Sequence, residues 1–119
     1  MTNNFTVGDG GLHTSIEDMA LWDTHFYTPK LGRTPRKLMN QMNTPNSQHG
    51  NDEDARYKYA NGQYTEGTVF EHSGGWLGTA TAYLRRPNDK ISVAIFCNLE
   101  GADSMTFAYE IAEIAKEIN

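Results

Sequence analysis

Apolar positions in the first third of the chain recur at helical intervals. Ile16, Met19, Ala20, Trp22, Phe26 and Tyr27 keep roughly the spacing of one helix face, and Thr14-Ser15-Ile16-Glu17 reads as a capping box, a hydroxyl cap with an acid three residues on. Pro29 and Gly32 close that helix. A short second helix is predicted from Thr34, with Pro35 at the first helical position and Leu38, Met39 and Met42 as its buried stripe. The stretch 43–56, NTPNSQHGNDEDAR, has no period and is rich in Asn, Asp, Pro and Gly, so it predicts an exposed loop.

Beyond residue 56 the period changes from helix to strand. Tyr57 to Tyr64 forms one candidate strand and Thr68 to Ser73 a second. Thr79 to Arg85 alternates Ala80, Ala82 and Leu84 against Thr79, Thr81 and Tyr83. Pro87-Asn88-Asp89 supplies a turn, with fixed φ at Pro followed by residues that tolerate unusual backbone angles. Ile91, Val93, Ile95 and Cys97 then share one face of a last strand, opposite Ala94 and Phe96. Both faces are apolar, which predicts a place inside the sheet. Asp103 can cap a closing helix whose apolar face is Phe107, Ile111, Ile114 and Ile118. Short links between strands require antiparallel pairing. The pattern therefore predicts one α+β domain over 1–119, an antiparallel sheet of three to four strands with N-terminal and C-terminal helices on one face.

Length and charge narrow the functions open to such a domain. At 119 residues the chain is one domain's worth. Ten Lys+Arg against 15 Asp+Glu give a net charge of −5, which argues against a nucleic-acid partner. The longest apolar run, Val93 to Cys97, is far short of the ~20 residues a membrane-spanning helix needs. Met1-Thr2-Asn3-Asn4 has neither the basic nor the apolar stretch of a signal peptide, and the compartment stays open. The single cysteine, Cys97, rules out an internal disulfide and reads as a core thiol.

The candidate chemistry is concentrated in one segment. His13, His25, His49 and His72 show no metal-site spacing, so neither a metal nor a cofactor is expected. Asp52-Glu53-Asp54 lacks the glycine and distal Glu of a calcium loop, and Asn4-Phe5-Thr6 fits a glycosylation sequon too common to weigh. The segment Phe70-Glu71-His72-Ser73-Gly74-Gly75-Trp76-Leu77-Gly78 is different. It sets an imidazole, a hydroxyl and paired glycines where one strand ends and the next begins. Glycines let a ligand approach the backbone, whose N–H groups can then serve as anion donors. It is not a G-x-S-x-G elbow, because Glu71 stands where the first glycine should be. A β-turn with a surface histidine is the bland alternative.

The string HSGGWLGTATAYLRRPNDKISVAIFCN resembles the third active-site motif and following strands of the serine β-lactamase and penicillin-binding-protein superfamily. The likeness is to its class C-like branch of esterases, D,D-peptidases and D-aminopeptidases, where His-x-Gly commonly replaces Lys-Thr-Gly. Upstream, GDGGLHTSIEDMALW resembles that family's glycine-rich approach to a helix. The match covers Gly8 to about Tyr27 and Tyr57 onward, in the expected order. The resemblance implies a partial β-lactamase/transpeptidase-like fold. It implies that His72 stands for the motif's basic residue, that Ser73 and Gly74 bind substrate, and that Gly75 gives an oxyanion N–H. A small-molecule or peptide substrate would pair with this strand through main-chain hydrogen bonds. Relatives are often extracytoplasmic.

The family's nucleophile and base partner come from Ser-x-x-Lys. No serine here has a lysine at the third following position, and Thr34-Pro35-Arg36-Lys37 is better explained as a helix start. Tyr59-Ala60-Asn61 spells the family's second motif, Tyr-x-Asn, but lies only about a dozen residues before His72, where the family has the strand preceding the third motif. The expectation is a C-terminal portion of a β-lactamase-like serine hydrolase, inactive as an isolated chain. The alternatives are a stand-alone peptide-binding or interaction module without catalysis, and a small hydrolase using Ser73 with His72 or His13 as base. That last reading conflicts with the opposite directions of adjacent strand residues. The strand 91–98 would expose an apolar edge open to self-association.

Overall fold

The computed structural model describes residues 10–45 and 56–118; residues 46–55 of the predicted 43–56 loop, the sequon, His49 and the acidic triplet lie outside the described residues. Three helices and five strands follow one another as α1 (Ile16–Tyr27), α2 (Pro35–Asn43), β1 (Lys58–Ala60), β2 (Gln63–Glu66), β3 (Val69–Trp76), β4 (Thr79–Arg86), β5 (Ile91–Cys97) and α3 (Ser104–Ile118). The class is α+β, as the pattern predicts. All neighbouring strands pair antiparallel in the order β1-β2-β3-β4-β5. The sheet has five strands rather than three or four. The stretch 57–64 folds back on itself at Asn61-Gly62, both with positive φ, which splits the expected first strand into a hairpin.

Local signals fix most element ends. Ser15, not Thr14, caps α1: its hydroxyl accepts from the Asp18 N–H at 3.1 Å, so the cap sits one residue further along. Thr34 and Pro35 open α2 as expected. Asp103 accepts from the Thr106 N–H at 3.2 Å and caps α3. The 87–89 turn is closed by the Lys90 N–H on the Pro87 carbonyl, with Lys90 in the left-handed region at φ 57°.

The helices cover both faces of the sheet, correcting the one-face expectation. On one face α3 packs Ala108 and Ala112 against Ala82, Leu84, Ile91 and Val93, and these six buried residues form the core. On the other, α1 crosses β4 and β5. The Tyr83 hydroxyl donates to Asp23 Oδ1 at 2.5 Å, and Tyr27 shares a hydrogen bond with Ser92 at 3.0 Å. α2 is tied to the same face through Arg85, whose Nη2 donates to Asn43 Oδ1 at 3.0 Å and Gln63 Oε1 at 2.6 Å.

Two expectations fail together. β5 is an edge strand, not an interior one; its two apolar faces are explained by α1 on one side and α3 on the other. The face of α3 expected to pack is the exposed one: Phe107, Ile111, Ile114 and Ile118 are 47, 46, 58 and 79% exposed, while Ala108 and Ala112 are sealed. Alanine lets the helix lie close to the sheet, and the bulky residues project elsewhere.

Candidate functional site

The segment singled out in sequence forms the second half of β3. β2 pairs with β3 only as far as Glu71, so His72 to Trp76 are laddered to β4 alone and leave their other edge open. That edge borders an open cleft of about 800 Å³ lined by His72, Ser73, Gly74, Gly75 and Trp76. His13 and Thr14, which lead into α1, line it too, as do Phe96 on β5 and Asn98 just after it. Two imidazoles distant in sequence thus meet in one cavity. Among its described lining residues there is no carboxylate, lysine or arginine, although the chain as a whole is acidic.

Register separates the two best candidates. His72 lies opposite Tyr83, on the face covered by α1, whereas Ser73 lies opposite Ala82, on the α3 face. Both are exposed. His72 is not placed to act as the base for Ser73. Instead its ring sits among the aromatics of the β1–β2 hairpin, stacked on Tyr64 with centroids 5.9 Å apart and edge-on to Tyr59 at 6.1 Å. The Tyr59 hydroxyl lies 3.4 Å from His72 Nε2, a long hydrogen bond that restrains the ring.

Of the Tyr-x-Asn pair, therefore, Tyr59 reaches the site and Asn61 does not. Asn61 turns the hairpin at φ 37° and donates from its amide to the Gln41 carbonyl at 2.7 Å, which also accepts from the Thr44 N–H at the end of α2. Sequence reasoning also left Tyr64 out of the site. The signal lay in pairing Tyr59 with Tyr64 across a two-residue turn. Cys97 is half-buried and borders the cleft from β5. Among the described residues no group of three or more His, Cys, Asp or Glu could hold a metal ion.

The paired glycines differ in what holds them. A Cβ on Gly74 would sit 2.7 Å from Thr81 Oγ1, too close without displacing the threonine, whereas one on Gly75 would meet the Thr79 carbonyl at an ordinary 3.9 Å. Packing within this chain explains Gly74 and leaves Gly75 free. Gly74→Ala is expected to cost about 1–3 kcal/mol of stability, recovered in large part by adding Thr81→Ala, and Gly75→Ala to change it by under about 0.5 kcal/mol. Urea denaturation of the three variants checks both values.

A scan of protein-family models finds no match to this chain, and a search of curated proteins finds none either. No described helix is long and apolar enough to cross a membrane.

Proposed function

We propose that this chain is the C-terminal portion of a β-lactamase-like serine hydrolase, contributing the wall of an acyl pocket while the nucleophile comes from elsewhere in the parent. The parent would cleave an ester, a β-lactam or a D-amino-acid amide through a serine acyl-enzyme. The observation that carries this reading is the open edge of β3 at His72 to Trp76, facing a cleft with the backbone of Gly74 and Gly75 accessible. An extended acyl substrate can add to such an edge by main-chain hydrogen bonds, with side chains held in flanking pockets. The N–H of Gly75 would donate to the developing oxyanion, and His72 would set the charge beside it.

Without Ser-x-x-Lys no acyl-enzyme can form on the isolated chain. Incubation with a penicillin, and separately with an activated ester, is expected to leave the intact mass unchanged. A stoichiometric adduct on Ser73 would replace this reading with that of a minimal hydrolase. The same cleft favours a second reading, a peptide-binding module without catalysis. Saturable binding of a peptide ending in D-Ala-D-Ala, abolished in His72→Ala and with no activity restored by an N-terminal portion of a related hydrolase added in trans, would select it. As a separate chain the protein also offers the β5 edge for self-association.

A further inference from the structure

We propose that the connection between α1 and α2, together with the first turn of α2, docks this chain on an anionic lipid surface. Residues 24–51 hold four cations, Lys30, Arg33, Arg36 and Lys37, and no Asp or Glu. The other residues carry six cations against fifteen acids, so a segment at +4 sits in a chain that otherwise stands at −9. The average of −5 conceals that asymmetry. None of the four cations lines the cleft.

All four are exposed. Elsewhere acids answer cations: Arg56 pairs with Glu66, Arg86 with Asp89 and Glu113, and Lys116 with Asp89. Among the described residues no carboxylate forms an ion pair with any of the four. Two of them also oppose the fold. Arg36 and Lys37 stand in the first turn of α2, where the helix macrodipole favours acids and no acid is present. α1 follows the ordinary rule, with Glu17 and Asp18 in its first turn.

The four cations share one surface. Gly32, at φ 78°, turns the connection back on α2, so that a Cβ there would lie 3.7 Å from Leu38 Cδ2. Lys30 and Arg33 flank that turn and are brought beside Arg36 and Lys37. Two leucines stand among them, Leu31 at 46% and Leu38 at 38% exposure. That mixture selects the partner. A soluble polyanion would answer the cations and gain nothing from the leucines. A bilayer interface takes both, with cations at the lipid phosphates and aliphatic side chains among the upper acyl carbons. About four to eight Lys/Arg is the cluster size that holds a peripheral segment on anionic lipid.

The chain's acids do not oppose this contact. α3, with Glu110, Glu113 and Glu117, packs on the opposite face of the sheet, two layers of ~10 Å away. Charges are screened over about 8 Å in physiological salt. On the same face, Glu17 and Asp18 lie at the far end of α1, about 14 Å from Tyr27, and Asp23 is bonded to Tyr83.

Flotation of the full chain with vesicles tests this, comparing phosphatidylglycerol mixed into phosphatidylcholine with phosphatidylcholine alone. Binding is expected only where phosphatidylglycerol is present, and salt at about 0.5 M should release the protein. Arg33→Ser and Arg36→Ser should each weaken it about five-fold. Lys37→Glu should weaken it more than about ten-fold yet raise the melting temperature, because an acid suits the first turn of α2. Misfolding would lower both. Leu31→Ser should weaken binding at unchanged charge, whereas Lys116→Gln, which removes one charge from the opposite face, should leave it unaltered. Equal binding to both vesicles, or none to either, would overturn the proposal. So would Leu31→Ser binding like the wild type, or Lys116→Gln losing as much as Arg33→Ser. Retention on heparin at a salt concentration that empties the vesicles would also overturn it, and would assign the patch to a soluble polyanion.

Discussion

Replacing Arg85 by alanine is expected to remove about 3–4 kcal/mol of stability. Arg85 is 1% exposed and has no carboxylate partner among the described residues. Burial pulls its pKa below the usual arginine value, against the opposing pull of Tyr83, Tyr27 and Asp23. What compensates is geometric. Its Cζ lies 3.4 Å from the Phe26 ring centre and 4.7 Å from that of Phe70, two desolvated cation–π contacts worth about 2 kcal/mol or more. Nη2 supplies the donor that Gln63 Oε1 and Asn43 Oδ1 share. Gln63 in turn donates to the Met42 carbonyl at 2.9 Å, closing the C-terminal end of α2. Alanine leaves the Gln63 acceptor buried without a donor, at about 1–3 kcal/mol, and opens a void beside Phe26 and Phe70.

Methionine in place of Arg85 keeps the stem volume but not the donors, and should lose about half as much. For a domain of this size the alanine variant should melt roughly 10–20 °C lower. Calorimetry gives the number, and hydrogen exchange should show α2 opening first. A loss under about 1 kcal/mol would mean that Arg85 does not hold α2 to the sheet.

Arg85 also shows where reading the sequence stops. It stands at the polar end of a strand whose alternation is plain from Ala80 to Leu84, so β4 itself was legible. Its burial was not, because Phe26, Asn43, Gln63 and Phe70 come from four other elements. β5 carried apolar residues on both faces, and the sequence cannot distinguish covering helices from flanking strands as the cause. In α3 the size of Phe107, Ile111, Ile114 and Ile118 suggested the packing face. The sheet instead takes the alanine face and leaves the bulky residues open to solvent. Helix caps were readable to within one residue, the shift from Thr14 to Ser15 arising because hydroxyls and acids occur in adjacent pairs there. In the site, His72 to Gly75 were found by local chemistry, whereas the entry of His13 and the contact of Tyr59 with His72 depend on tertiary placement.

The steepest dependence on conditions should come at alkaline pH, through Tyr83. Burial raises its pKa most, and the hydrogen bond to Asp23 and that carboxylate's charge raise it further, to beyond the range reached before the protein unfolds. Tyr109 is raised in the same direction, by burial and then by its bond to Glu71. An unfolded tyrosine loses its proton near pH 10. Above that pH the unfolded chain has released protons that the folded chain still holds, so raising the pH favours unfolding. The stabilising difference is complete below about pH 10 and is lost above it, at up to about 1.4 kcal/mol per pH unit for a fully shifted tyrosine. Tyr83 should approach that limit; Tyr109, more open to solvent, should contribute a smaller share. Stability measured by urea denaturation from pH 8 to 11.5 should therefore be level and then fall with a slope of one to two protons. Tyr83→Phe separates the causes. At neutral pH it leaves Asp23 without its donor and should cost about 1–2 kcal/mol. Above about pH 10 it should remove the larger part of the slope, so that variant and wild type converge and then cross. Parallel curves, offset by the same amount at every pH, would show that Tyr83 ionises in the folded protein as it does in the unfolded chain.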